Sequence, residues 1–247
     1  MTASSTRVVL VHGSMDRSAS FIKTARRLGD LDVVRYDRRG YGRAVHDGVA
    51  KSIDEHVDDL LAVVGDEPST VVGHSLGGVI ALVAAIRRPD LVGSVGAFEA
   101  PMSWRSSWPT YSAGGNALRA DDAADAAETF MRGILGDQIW ERLPSRTRRA
   151  RRAEGPALVA ELASMRAAAP YDPADLRVPV LAGYGELSKP YHQEAARELA
   201  AEAPLGELMV VPDSGHGVHT SHPDQFATFV RRATVRFAPC PIPPAST

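Results

Sequence analysis

Short apolar, β-branched runs alternate along this chain with amphipathic helical stretches, an order that few architectures accept. The runs fall at 7–11, 32–36, 69–72, 92–98, 178–184 and 207–211, and helical periodicity fills 19–28, 53–64, 76–88, 195–201 and 223–232. Strands this apolar need cover on both faces, and helices returning the chain between them make neighbouring strands parallel. The pattern predicts an α/β fold with a mostly parallel, doubly wound sheet of about six strands. Right-handed crossovers then bring every strand C-terminus to one edge, where any site is expected.

The alternation breaks once. Residues 101–170 contain helical, Ala- and Arg-rich segments but no convincing strand, and they hold Trp104, Trp108 and Trp140 together with Met102, Met131 and Met165. This stretch reads as a small helical cap inserted between the fourth and fifth strands. The core then comprises residues 1–100 and 171–237. The tail at 238–247, with four prolines, is expected to be disordered. Trp140 is assigned to the cap's own core, whereas Trp104 and Trp108 follow a strand end and are candidates for a pocket wall.

Composition narrows the choice of partner. A net charge of −2 offers no electrostatic ground for a nucleic-acid or membrane partner, and a small molecule is the expected one. The five arginines between Arg146 and Arg152 face Glu141 and Glu154 and lack interleaved aromatics, which fits a solvated helix face. Cys240 is the only cysteine and lies in the Pro-rich tail, so it reads as a spectator thiol. The polar start, Met1 to Thr6, carries no apolar leader, and no apolar run is long enough to span a bilayer; a cytoplasmic setting is the expectation.

The chemistry concentrates in Gly73-His74-Ser75-Leu76-Gly77-Gly78, a Gly-x-Ser-x-Gly pattern directly after a β run and directly before an apolar helix. A serine exposed on so sharp a strand-to-helix turn needs glycines two residues to either side, and the helix N-terminus behind it favours negative charge. Ser75 is therefore the candidate nucleophile, with the Leu76 amide as one oxyanion donor. Val11-His12-Gly13-Ser14 ends the first strand, and its loop is the source of the second donor, Ser14 before Met15. His12 reads as a loop anchor. Pro212-Asp213-Ser214-Gly215-His216-Gly217 follows the last strand and offers His216 as general base. His216, His219 and His222 recur every three residues, but no Cys or carboxylate pair completes a ligand set and Pro223 breaks the helix, so no metal is assigned. Met15, His74, Met102, Trp104 and Trp108 are the candidate substrate-binding residues.

These elements, with Asp37-Arg38-Arg39-Gly40-Tyr41-Gly42 between them, resemble the α/β-hydrolase superfamily over nearly the whole chain to about residue 235. The resemblance implies an acid to complete a triad with Ser75 and His216, and a helical cap. The family usually opens with an antiparallel hairpin, for which only six residues precede Arg7, so the hairpin is expected to be missing. The usual acid follows the fifth strand of this chain in a Gly-Glu-x-Asp-like pattern, but Gly185-Glu186-Leu187-Ser188 puts Ser188 in the aspartate's place. Phe98-Glu99-Ala100-Pro101 ends the strand expected beside Ser75, and some subfamilies take their acid from there; a carboxylate in so apolar a setting needs a partner. Glu99 is the first choice for the acid, and Glu186 the second.

The implied activity is a carboxylic-ester or lactone hydrolysis of a small, fairly apolar substrate through an acyl-enzyme, with no cofactor. A C–C bond hydrolase or perhydrolase could use the same triad. A non-catalytic ligand-binding protein on this fold is the reading from another class.

Overall fold

The computed structural model describes residues 6–234. Six strands, β1 (Arg7–Val11), β2 (Asp32–Arg35), β3 (Ser69–His74), β4 (Val92–Phe98), β5 (Val180–Gly185) and β6 (Gly206–Val211), form one sheet in the order β2-β1-β3-β4-β5-β6. Every neighbouring pair is parallel. The chain steps outward from β1 to β2, then crosses to β3 and proceeds the other way. The switch in direction therefore lies between β1 and β3, where the following loops part and leave a crevice.

The helices are α1 (Ile22–Ala25), α2 (Ile53–Val64), α3 (Leu76–Arg87), α4 (Ala113–Ala117), α5 (Ala123–Leu135), α6 (Asp137–Arg142), α7 (Ser145–Ala153), α8 (Gly155–Ala167), α9 (Pro190–Glu202), α10 (Val218–Ser221) and α11 (Pro223–Thr234). None is long and apolar enough to cross a membrane. Side chains alternate across β1, and each face has its own core. Val8 and Leu10 pack with Phe21, Leu28, Phe226 and Phe229, while Val9 and Val11 pack with Val57, Leu60 and Ile80. Each such side chain contributes about 1.5–3 kcal/mol by leaving water, and Leu10→Ala is expected to cost about 2–5 kcal/mol.

Helices α4 to α8 fill the connection from β4 to β5 without a strand. Their common core is Trp140, Ala126, Ala127, Met131 and Leu158, joined by Met15 and Tyr41 from the loops after β1 and β2. The Trp140 indole N–H is satisfied by Glu128 Oε1 at 3.1 Å. These helices thus stand over the strand C-termini on the β1–β2 side.

Some boundaries differ from the sequence reading. β5 starts at Val180 rather than 178 because Pro179 has no N–H, although its carbonyl still accepts from Val95 N at 2.9 Å. α9 starts at Pro190, five residues early, since proline is favoured in the first turn. The helix expected at 19–28 is a 3₁₀ turn, Ser18–Phe21, followed by the single turn α1, and neither has a side-chain N-cap. The Pro-rich tail and Cys240 lie outside the described residues.

Candidate active site

One residue, Ser75, separates β3 from α3, and it takes a left-handed backbone (φ 53°, ψ −127°). Its amide donates to Phe98 O of the neighbouring strand at 2.8 Å, which locks the turn. The flanking glycines are required sterically. A Cβ on Gly73 would lie 2.1 Å from Gly77 O, and one on Gly77 would lie 2.1 Å from Val11 O. Non-glycine residues with positive φ are few, and four of them, Met15, Ser75, Glu99 and Asp213, follow β1, β3, β4 and β6. Each stores about 1–3 kcal/mol of strain, gathered at one edge of the sheet.

Among the described residues, neither the Ser14 nor the Leu76 amide has a hydrogen-bond acceptor. Leu76 is the first residue of α3, where an N–H has no intrahelical partner. The loop carrying Ser14 is held from beneath and above. His12 accepts from Arg38 N at its Nε2 (2.8 Å), so its proton sits on Nδ1, which meets Gly13 O at 2.8 Å. Burial and the nearby Arg38 push this imidazole down to about 4. From above, Arg151 of α7 donates to Met15 O at 2.8 Å. Glu161 of α8 accepts from Ser14 Oγ (2.7 Å), Tyr41 Oη (2.8 Å) and Arg38 (2.6 Å), and lies 3.0 Å from His56 Nε2. Burial opposes its ionisation, but Arg38 and His56 outweigh it and hold the carboxyl down to about 2.

On the opposite side, His216 Nδ1 meets Glu99 Oε2 at 2.6 Å, and Glu99 is fully buried. The other carboxylate oxygen accepts from Gly185 N at 2.8 Å and from Ser188 Oγ. Burial would raise Glu99, but the hydrogen bond and charge of His216, followed by His192 and the Gly185 amide, hold it below the usual carboxylate range. Ser188 thus supports the carboxylate instead of replacing it. Glu186 points elsewhere: its Oε2 accepts from the Asp213 amide at 3.2 Å.

The three histidines spaced by three residues diverge. His219 pairs with Asp16 (3.1 Å), and the half-buried His222 meets Ser221 Oγ (2.9 Å).

Ser14, Ser75, Leu76 and His216 share one cavity of about 630 Å³, its open mouth included. Its apolar wall comes mainly from Phe130, Ile134, Leu162 and Met165 of α5 and α8, with Trp108 on another side. Of the five candidate substrate-binding residues, only Trp108 lines it. Met15 is buried in the helical core with Trp140, and Met102 in the sheet core. Trp104 turns to pack edge-on against Tyr171, with centroids 5.3 Å apart. His74 lies behind the elbow, where its Nε2–H donates to His216 O at 2.7 Å and so holds the histidine's loop. The lining residues of α5 and α8, along with Tyr191 and His192 of α9, are not among the candidates that the sequence offers. For the residues of α5 and α8 the only sequence signal is the helical period of the inserted segment.

Residues 8–229 match the model of the alpha/beta hydrolase family. The pimeloyl-[acyl-carrier protein] methyl ester esterase of Aliivibrio salmonicida is 28% identical over 91% of this chain and 90% of its own length. Lipase LipV of Mycobacterium tuberculosis is 34% identical over 36% of this chain, a match spanning 35% of the lipase. Among solved structures, the enol-lactonase of Burkholderia xenovorans LB400 superposes with a TM-score of 0.71 at 19% identity, covering 94% of this chain and 92% of that one.

Proposed function

The chain belongs to the alpha/beta hydrolase family, and from that premise we propose that it is a serine hydrolase of small, fairly apolar carboxylic esters or lactones. Ser75 Oγ attacks the carbonyl carbon while His216 Nε2 takes its proton. The negative oxygen of the tetrahedral intermediate is met by the two free amides, Ser14 and Leu76. The C–O bond to the alcohol then breaks, and His216 returns the proton to the leaving oxygen. Water repeats the sequence on the acyl-Ser75 ester and releases the acid. Glu99 fixes the imidazole with its proton on Nδ1 and balances its charge at the transition state. The nucleophile, base and acid are all side chains, so this chemistry needs no cofactor.

The observation that carries the reading is the 2.6 Å Glu99–His216 contact at the rim of the cavity that Ser75 lines. The apolar wall suits a small substrate, and the relatives are an esterase and a lipase by name. A fluorophosphonate probe is expected to label Ser75, located by peptide mapping. A panel of short-chain p-nitrophenyl esters and γ- and δ-lactones is expected to contain turned-over members. Ser75→Ala is expected to lose labelling and to reduce turnover by roughly 10⁶-fold, leaving the fold intact. A purified, folded protein that neither labels nor turns over any of the panel would sink the proposal.

A further inference from the structure

His192 stands in the first turn of α9, and its ring stacks on His216 with centroids 4.6 Å apart and planes 22° apart. Trp108 packs edge-on against His192 at 5.2 Å. The side chain is nine-tenths buried and lines the cavity, yet neither ring nitrogen has a hydrogen-bond partner among the described residues. The two nitrogens differ in surroundings. Nδ1 is sealed from solvent and faces Glu99 Oε2 at 3.9 Å, too far for a hydrogen bond but well within electrostatic range. A bare lone pair there would be repelled by the carboxylate, so the proton belongs on Nδ1. Nε2 is not sealed, which leaves it as a hydrogen-bond acceptor open to the cavity.

We infer that His192 is a recognition residue, whose Nε2 accepts a hydrogen bond from a hydroxyl or N–H group that the substrate carries beside its scissile bond. The preferred substrates are then hydroxy- or amino-substituted esters and lactones. The donor sits close to the reacting carbon because the ring lies directly against His216. The imidazole remains neutral and able to accept: burial and the neighbouring His216 push it down to about 3. Glu99 thereby serves two imidazoles, bonding Nδ1 of His216 and orienting the proton of His192. The inference rests on the hydrolase reading above for what enters the cavity.

Matched pairs of esters test it: p-nitrophenyl lactate against propionate, p-nitrophenyl 3-hydroxybutyrate against butyrate, and 2-hydroxyethyl against propyl butyrate. His192→Phe keeps a ring stacked on His216 but removes the acceptor. In at least one pair, the hydroxylated-to-deoxy ratio of kcat/KM is expected to be about tenfold higher in the wild type than in His192→Phe. His192→Gln, which restores an acceptor oxygen, is expected to recover part of that ratio. If His192→Phe lowers both members of every pair by the same factor, or changes neither, His192 only packs against the base and the inference is overturned. The ¹⁵N shifts of the His192 ring give an answer that does not depend on turnover. A protonated Nδ1 and bare Nε2 in the free protein are expected, and the opposite tautomer overturns the inference even in an active hydrolase. Loss of Ser75 labelling would instead strike the hydrolase reading.

Discussion

Glu99 holds three donors at a backbone angle (φ 49°) that carboxylate residues rarely adopt. Two of the donors sit on Oε1, which leaves His216 as the one hydrogen-bond donor on Oε2 among the described residues, with His192 Nδ1 3.9 Å away. The amide oxygen of Glu99→Gln goes to the side with two donors, which turns its NH₂ toward His216 Nδ1, so the imidazole loses its partner and its fixed tautomer. Turnover is expected to fall by about 10³- to 10⁴-fold. Ser188→Ala removes one of the two donors on Oε1 and is expected to cost about tenfold. Glu186→Gln, whose carboxylate serves only the Asp213 amide among the described residues, is expected to lose less than Ser188→Ala. Steady-state kinetics on one ester orders the three, and a fully active Glu99→Gln would overturn the assignment. Glu99 was legible because an ionised group in an apolar strand end demands a partner, and Ser188 stood where the family's acid usually does. His192 was not legible: its contact depends on how the first turn of α9 meets the loop after β6, which no local pattern encodes.

At the scale of elements, α8 is fastened to the loop after β2 through a charged pair that is almost wholly buried, Glu161 with Arg38. Glu161→Gln leaves the guanidinium without a counter-charge, and such losses are about 3–5 kcal/mol. Replacing the pair by Arg38→Met with Glu161→Leu is expected to recover part of that stability, because neither charge is then stranded although the Tyr41 hydroxyl and the His12 carbonyl each lose a partner. Urea midpoints of the two variants check this, and a single variant within about 1 kcal/mol of wild type would show that the pair does not anchor the helix. Since Glu161 also accepts from Ser14 Oγ, the single variant is further expected to lower kcat more than it changes KM. The inserted helices were legible as a stretch without strands, and Trp140 as their core. Met102 and Trp104 were assigned to the cavity from their place after β4. An irregular segment has no period to say which way a side chain turns, and these two turned toward the sheet core and Tyr171.

For the molecule as a whole, buried neutral histidines set how stability responds to acid. His12 and His192 are lowered from 6.5 to about 4 and about 3. Between pH 6.5 and those values the unfolded chain binds protons that the folded protein refuses, so stability rises with pH there. Their contribution is fully present above 6.5 and is lost as pH falls through the folded values. Glu161, lowered from 4.5 to about 2, adds to the loss at still lower pH. Buried Tyr41, raised well above 10.0, acts in the other direction: its contribution is present below 10 and lost as pH rises toward the folded value. Unfolding midpoints in urea are expected to decline steadily from pH 7 to pH 4, and a flat profile over that range would falsify the buried neutral state of both histidines. The sheet itself was the most legible part of the molecule, since apolar runs such as Val8 to Val11 can be covered on both faces in few ways. Its ends were harder to place, because Pro179 shifts a strand start through a missing N–H that hydrophobicity does not register.

The register of the two central strands carries a consequence for how this scaffold can change. His74 and Phe98 are paired across β3 and β4, so Ser75 and Glu99 each follow a residue of the same cross-strand pair. With the acid on β4, as proposed, nucleophile and acid are spaced by the ladder of the sheet and not by the course of a loop. The connection from β5 to α9 is then released from any duty to deliver a carboxylate; it supports Glu99 through the Ser188 hydroxyl and steadies the loop carrying His216 through the Leu187 amide on Ser214 O (2.8 Å) and the Glu186 carboxylate on the Asp213 amide. The exposed Leu187 side chain and Tyr191 at the cavity wall, neither of which bonds Glu99 or His216, become the modular part of the design. Side-chain substitutions there would redirect selectivity while leaving the proton-handling apparatus intact, a separation that a chain with its acid in this loop does not possess.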